Sequence, residues 1–148
     1  MDDRAQKLNT ELLRIQKEID RAADAAKTII RRIAETLRRD YDDQIALKNN
    51  SDYEITVTVF GNDVLIKAEV PLYETTFVGS ILCNLRQDNK DAPWLKLDAG
   101  LKYDKVGNVN EQYDGYEATH ILMKLILDEL KKKSVPVKFP QAIDSKKA

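Results

Sequence analysis

Leu8, Leu12, Ile15, Ile19, Ala22, Ala26, Ile29 and Ile33 recur in alternating steps of four and three. This spacing keeps one side of a helix apolar and holds for about four heptads. The stretch is rich in strong helix formers, and neither glycine nor proline occurs before Gly61. It predicts one helix from Asp3 to about Asp40, opened by a capping pair of Asp3 and Gln6 and stopped between Asp40 and Lys48. The breaker cluster Asn49-Asn50-Ser51-Asp52 follows. In its first half the seam is narrow, with Asn9 and Gln16 beside it, as suits pairing with one other helix. In its second half Ala23, Ile30 and Leu37 add a row, as suits docking onto a sheet or bundle.

After Asp52 the period becomes two. Tyr53, Ile55, Val57 and Val59 alternate with Glu54, Thr56 and Thr58. Gly61-Asn62-Asp63 reads as a three-residue turn, and Val64, Ile66, Ala68 and Val70 resume the alternation. Residues 74–86 fit either period, with Phe77, Ile81, Cys83 and Leu85 tipping the reading toward a strand. Trp94 to Tyr103 reads as a further strand and Asp104 to Gly115 as a polar loop. Asp114 and Glu117 open a last helix that is apolar nearly all round from Ile121 to Leu130, which predicts deep burial. Lys131 to Lys133 complement its dipole, and Ser134-Val135-Pro136 stops it. The expected fold class is α+β: a long N-terminal amphipathic helix, an antiparallel sheet of three or four strands, a buried C-terminal helix and an extended tail. The chain divides into residues 1–48 (the long helix, half association segment and half docking segment), 49–134 (sheet and C-terminal helix) and 135–148 (tail), all in one domain. The order helix, strands, helix resembles that of small dimeric secretion chaperones, at the level of element order.

Length sharpens the picture. A helix from Asp3 to Asp40 is roughly 55 Å long. The rest of the chain would make a body about 33 Å across. The helix therefore overshoots its domain by roughly 20 Å, about two heptads. The overhang carries Leu8, Leu12, Ile15 and Ile19, an apolar patch that calls for a second chain. Self-association through Leu8, Leu12, Ile15, Ile19, Ala22 and Ala26, most simply as a homodimer, is the expectation.

Composition narrows the chemistry. Charged residues are 33% of the chain, yet the formal net charge is only −1, so a globally basic nucleic-acid binder and a globally acidic DNA mimic are both excluded. No apolar run is long enough for a membrane span, and the opening MDDRAQ leads into no apolar stretch, so neither a membrane segment nor a signal peptide is expected. The single cysteine, Cys83, fits a reducing, cytoplasmic setting. One histidine, His120, and one cysteine make no zinc site, and no Gly-rich phosphate loop is present, so no metal and no cofactor are expected. His120 reads as a helix residue rather than a catalytic base, and no catalytic residue stands out.

The basic residues are a stronger lead. Lys27, Arg31, Arg32, Arg38 and Arg39 cluster on the second half of the long helix, with Arg31 and Arg38, and Arg32 and Arg39, each seven apart. They would form a ridge opposite the apolar stripe, able to bind a protein partner or phosphates. The leading expectation is a non-enzymatic protein-binding module, an adaptor, chaperone-like protein or inhibitor. A nucleic-acid-associated protein using the basic ridge is the alternative, and a small hydrolytic enzyme the third reading.

Overall fold

The computed structural model describes residues 2–69, 79–86, 95–103, 108–110 and 113–139, with residues 95–100 described by their backbone only. The heptad pattern produces a single helix, α1 (Asp3–Asp40). Its N-cap is Asp2, one residue before the expected one; the carboxylate accepts from the Arg4 N–H at 2.7 Å. The Arg4 guanidinium beside it holds Asp2 below the ordinary carboxylate pKa. α1 is straight-run sequence without a breaker, and it ends where Tyr41 donates its N–H back to the Leu37 carbonyl.

Five strands follow, where three or four were expected: β1 (Ile45–Ser51), β2 (Glu54–Val59), β3 (Asn62–Glu69), β4 (Gly79–Leu85) and β5 (Leu95–Tyr103). They form an antiparallel meander in the order β1-β2-β3-β4-β5. The added strand is β1. It takes the end of the segment assigned to the helix, residues 45–48, and the Asn49-Asn50-Ser51 cluster, so the break falls later, at residues 52–53. Within residues 74–86, whose sequence fits either period and leans toward a strand, β4 is a strand, and its Ile81, Cys83 and Leu85 point to the core. Residues 74–78, the loop 87–92 and Trp94 lie outside the described residues.

The β2–β3 turn is tighter than the Gly61-Asn62-Asp63 reading. Val59 pairs with Asn62, leaving Phe60 and Gly61 as a two-residue loop, both with positive φ (51° and 80°). Such turns follow the twist of a hairpin, and an aromatic residue at the first position is unusual. Asn62 explains the tight closure. It is buried, and its amide donates to the carbonyls of Phe60 (3.2 Å) and Pro136 (3.0 Å).

The alternating apolar residues of β2, β3 and β4 make one buried face: Ile55, Val57, Val59, Val64, Ile66, Ile81, Cys83 and Leu85. Both helices pack on it. α1 contributes Ala25, Ala26, Ile29, Ile30, Ile33, Ala34 and Leu37, so the widened second half of the seam is the docking half. Each fully buried Ile or Leu there contributes roughly 1.5–3 kcal/mol of burial. α2 (Gly115–Lys132) is capped as expected, Asp114 accepting from the Glu117 N–H at 2.8 Å. It buries Ala118, Leu122, Ile126 and Leu130 against the core, with Ile121, Met123 and Leu125 partly buried beside them. The buried hydroxyls Thr36 and Thr119 donate to the carbonyls four residues earlier, of Arg32 (2.8 Å) and Gly115 (2.7 Å), so neither is left unsatisfied. The loop before α2 is not wholly polar in role. Val109 is fully buried and bridges Tyr103 and Tyr113.

The tail docks. Past α2, the Lys138 N–H donates to Phe60 O at 3.0 Å, so residues 135–139 cross the tip of the β2–β3 hairpin. Residues 140–148 lie outside the described residues.

Gly79 pairs with Tyr103 across β4 and β5, and the Tyr103 ring occupies the space where a Cβ would stand. The ring is 1% exposed, its hydroxyl donates to Glu69 O at 3.2 Å, and burial pushes the phenol pKa up. Gly79→Ala should therefore displace a core aromatic and cost about 1–3 kcal/mol, lowering Tm by several degrees. Ser80→Ala, half-buried next door, should stay within about 0.5 kcal/mol. Thermal melts of the two variants check this.

Candidate functional site

Three surface features carry the candidate residues. The first is the free end of α1. The first fully buried residue of the helix is Ala22. From Asp3 to Arg21, roughly 28 Å of helix at 1.5 Å per residue, no residue is buried. Leu8, Leu12 and Leu13 are 59%, 62% and 66% exposed, Ile19 is exposed and Ile15 half-buried. Leu13 was not part of the expected seam, and it lies off it, on the far side of the polar Asn9 and Gln16 row and beside Thr10 and Lys7. The other end of the six-residue association set is different. Ala22 and Ala26 are covered by the chain itself, Ala26 within the core cluster. They belong to the docking half, so the stripe available to a second chain runs from Leu8 to Ile19. The polar side of this segment is stitched along the helix by Gln16 to Asp20 (3.0 Å) and Arg21 to Glu18 (3.2 Å).

The second feature is the basic ridge, which the structure divides. Arg31 and Arg38, with Lys27, line a groove of about 530 Å³ between α1 and the far end of β1, floored by Ile30 and Ala34 and closed by residues 49–52. Lys27 lies 5.8 Å from the Tyr53 ring centroid, and Arg31 is 3.8 Å from Glu35. Arg32 and Arg39 belong to the other flank, toward α2. Arg32 stacks over Tyr116 at 5.6 Å and packs against Gly115, where a Cβ would meet its side chain. Arg39 forms a two-pronged pair with Asp40 (2.9 and 3.0 Å). The five cations therefore do not form one ridge: the angular spacing along the helix was legible, the packing of α2 against the Arg32 row was not.

The third feature sits where α1 turns into β1. Asp40 ends a helix, where the dipole disfavours a carboxylate. Arg39 answers that and holds Asp40 below the ordinary carboxylate pKa. His120 on α2 adds to it, with Nε2 3.5 Å from Asp40 Oδ2 and Nδ1 2.7 Å from the Tyr41 hydroxyl. A proton on Nε2 faces the carboxylate and leaves Nδ1 to accept from Tyr41. Both ring nitrogens are thus engaged in tying α2 to the end of α1. Beside this chain is an apolar cleft of about 300 Å³ lined by Ile45, Val59, Phe60, Met123, Ile126 and Leu127, among others. Sequence reasoning missed the Asp40–His120–Tyr41 chain, because its members are 79 residues apart and only the fold joins them.

Cys83 takes no part in any of these. It is fully buried in β4, and burial pushes its thiol pKa up to about 12. A nucleophilic cysteine needs the opposite shift. Among the described residues no group of three or more His, Cys, Asp or Glu side chains could hold a metal ion, and no helix is long and apolar enough to cross a membrane. No family of known proteins, no curated protein and no solved structure matches the chain.

The buried thiol makes a clear expectation. In the native protein Cys83 should resist a disulfide reagent at pH 8 and react at once in denaturant. Because its folded pKa lies above the ordinary 9.0, its contribution to stability is full below pH 9 and is lost as pH rises toward 12. Thiol titration with and without guanidinium, and melts across alkaline pH, test both. Rapid native labelling would contradict the packing.

Proposed function

We propose that this protein is a non-enzymatic protein-binding module, an adaptor, chaperone-like protein or inhibitor, that self-associates as a homodimer through the free end of α1. One observation carries the reading: the apolar stripe that builds the core continues past the domain, with Leu8 and Leu12 more than half exposed and Ile19 exposed. Two heptads alone are too short to form a stable helix in water. Here the docking half of α1 is already folded by the sheet, so the nucleation step is met before a second chain arrives. Pairing then needs to supply only the burial of the seam. The narrow stripe, flanked by Asn9 and Gln16, suits one partner helix rather than a bundle. A reducing, cytoplasmic compartment suits a chain whose one cysteine is a buried free thiol.

The phosphate-binding alternative has less behind it. It needs Lys27, Arg31, Arg32, Arg38 and Arg39 to act on one backbone, and two of the five are engaged on the opposite flank.

Light scattering at micromolar concentration should give twice 16.9 kDa. Leu12→Asp should shift the species to monomer, because it places a charge in the seam. The same change should leave the melting temperature of the sheet domain nearly intact at high dilution, since Leu12 touches no core residue in one copy. A wild-type monomer at tens of micromolar would contradict the homodimer.

A further inference from the structure

The groove beside α1 is bounded by a sheet edge that no described strand occupies. β1 ends the strand order. The Tyr53 carbonyl accepts from the Ala68 N–H at 2.9 Å, so odd-numbered positions of the β2 stretch turn their backbone groups toward β3 and even-numbered ones toward β1. Thr58 and Thr56 pair with Ala46 and Lys48. Ala46 and Lys48 therefore bond to β2, and the N–H and C=O groups of Leu47 and Asn49 point out of the sheet edge. The Ile45 N–H, which points the same way, is already taken by Tyr41 O at 3.1 Å. The far side of the sheet differs, because Tyr103 on β5 bridges Val109.

We propose that β1 accepts an extended segment of another protein as an added strand, and that this segment carries carboxylates at alternate positions. Backbone pairing at a free edge supplies affinity, and side-chain pockets supply selection. The side-chain part lies on α1. Lys27 and Arg31 are about 6 Å apart along the helix axis, close to the roughly 6.7 Å between alternate residues of a strand. Arg38 continues the row, and the floor of Ile30 and Ala34 offers apolar contact between the charges. Two acids share the groove, Glu35 and Asp52. Glu35 is held by Arg31 and accepts from the Tyr116 hydroxyl at 3.3 Å. Among the described residues neither Lys27 nor Arg38 has a carboxylate within ion-pair distance, so both cations are open to an incoming acid.

Charge also decides against the two other occupants. Pairing of β1 with β1 of a second copy would bring two α1 flanks, each with Lys27, Arg31 and Arg38, toward one another. Lys48 on the edge itself opposes the same pairing and suits an acidic strand. A nucleic acid would use the cations but not the alternating donors and acceptors of Leu47 and Asn49. The site is separate from the free end of α1, so it stands or falls independently of the homodimer.

The test is fluorescence anisotropy at low salt, with a fluorescein-labelled octapeptide of alternating Glu and Thr. Saturable binding is expected, with no binding of the matching Lys and Thr peptide. Arg31→Glu combined with Arg38→Glu should weaken it about tenfold or more. Asn49→Pro should also weaken it, because proline removes an outward N–H and leaves the bonds to β2 in place. Leu12→Asp should bind the peptide like wild type whatever its mass in solution, which separates this site from self-association. Equal binding of the Lys and Thr peptide, stronger binding of a labelled oligothymidylate, dimerisation lost on Asn49→Pro, or no saturable binding would each overturn the proposal. Should Asn49→Pro fail to fold, the charge-reversed pair on the exposed helix face decides alone.

Discussion

A single apolar stripe on a helix longer than the body it packs against governs this molecule. α1 contains no residue that would bend it, so the stripe cannot fold back on itself. Its second half meets the sheet, and Ile29, Ile33 and Leu37 become fully buried there. Its first half has the same periodicity and no sheet beneath it. Folding the domain therefore supplies the costly nucleus of a helix that continues outward with Leu8, Leu12 and Ile19 exposed. An apolar surface of that kind is unfavourable in water, and its burial by a second chain is the plainest way to relieve it.

The same helix sets the other surfaces through the way it ends. Arg39, Asp40, Tyr41 and His120 close the turn after α1, and β1 then runs back along the helix it came from. That reversal places β1 at the sheet edge and opens the groove between its far end and Lys27, Arg31 and Arg38. α2 settles on the opposite flank and takes Arg32 through Tyr116. A helix with cations on two rows thus becomes a helix with one row committed to its own fold and one row facing solvent beside a strand whose outer edge no described strand occupies.

Much of this was legible in the sequence. Heptad spacing located α1, and the change from narrow to wide stripe near Ala23 marked where docking begins. Alternation located β2 and β3, residues 74–86 fit either period and only lean toward the strand that β4 is, and the Asp114–Glu117 pair located the start of α2. The misses have physical causes. β1 escaped because an edge strand buries little: after Ile45 and Leu47 its residues are Lys48, Asn49, Asn50 and Ser51, a run that reads as a turn. The hairpin turn was misplaced by one residue because Asn62 resembles a loop residue yet is buried, bonding to the tail at Pro136. Val109 escaped because a lone valine in a polar stretch has no period. Ala22 and Ala26 were placed in the association seam because spacing alone does not say where along one stripe the domain stops covering it.

Amide hydrogen exchange along α1, followed as a function of protein concentration, tests the central claim most directly. If the free end pairs with a second copy, amides between Leu8 and Ile19 should gain protection as concentration rises through the micromolar range, while those around Ile29 and Ile33 stay protected throughout. Exchange between Leu8 and Ile19 that is fast and independent of concentration would contradict the account.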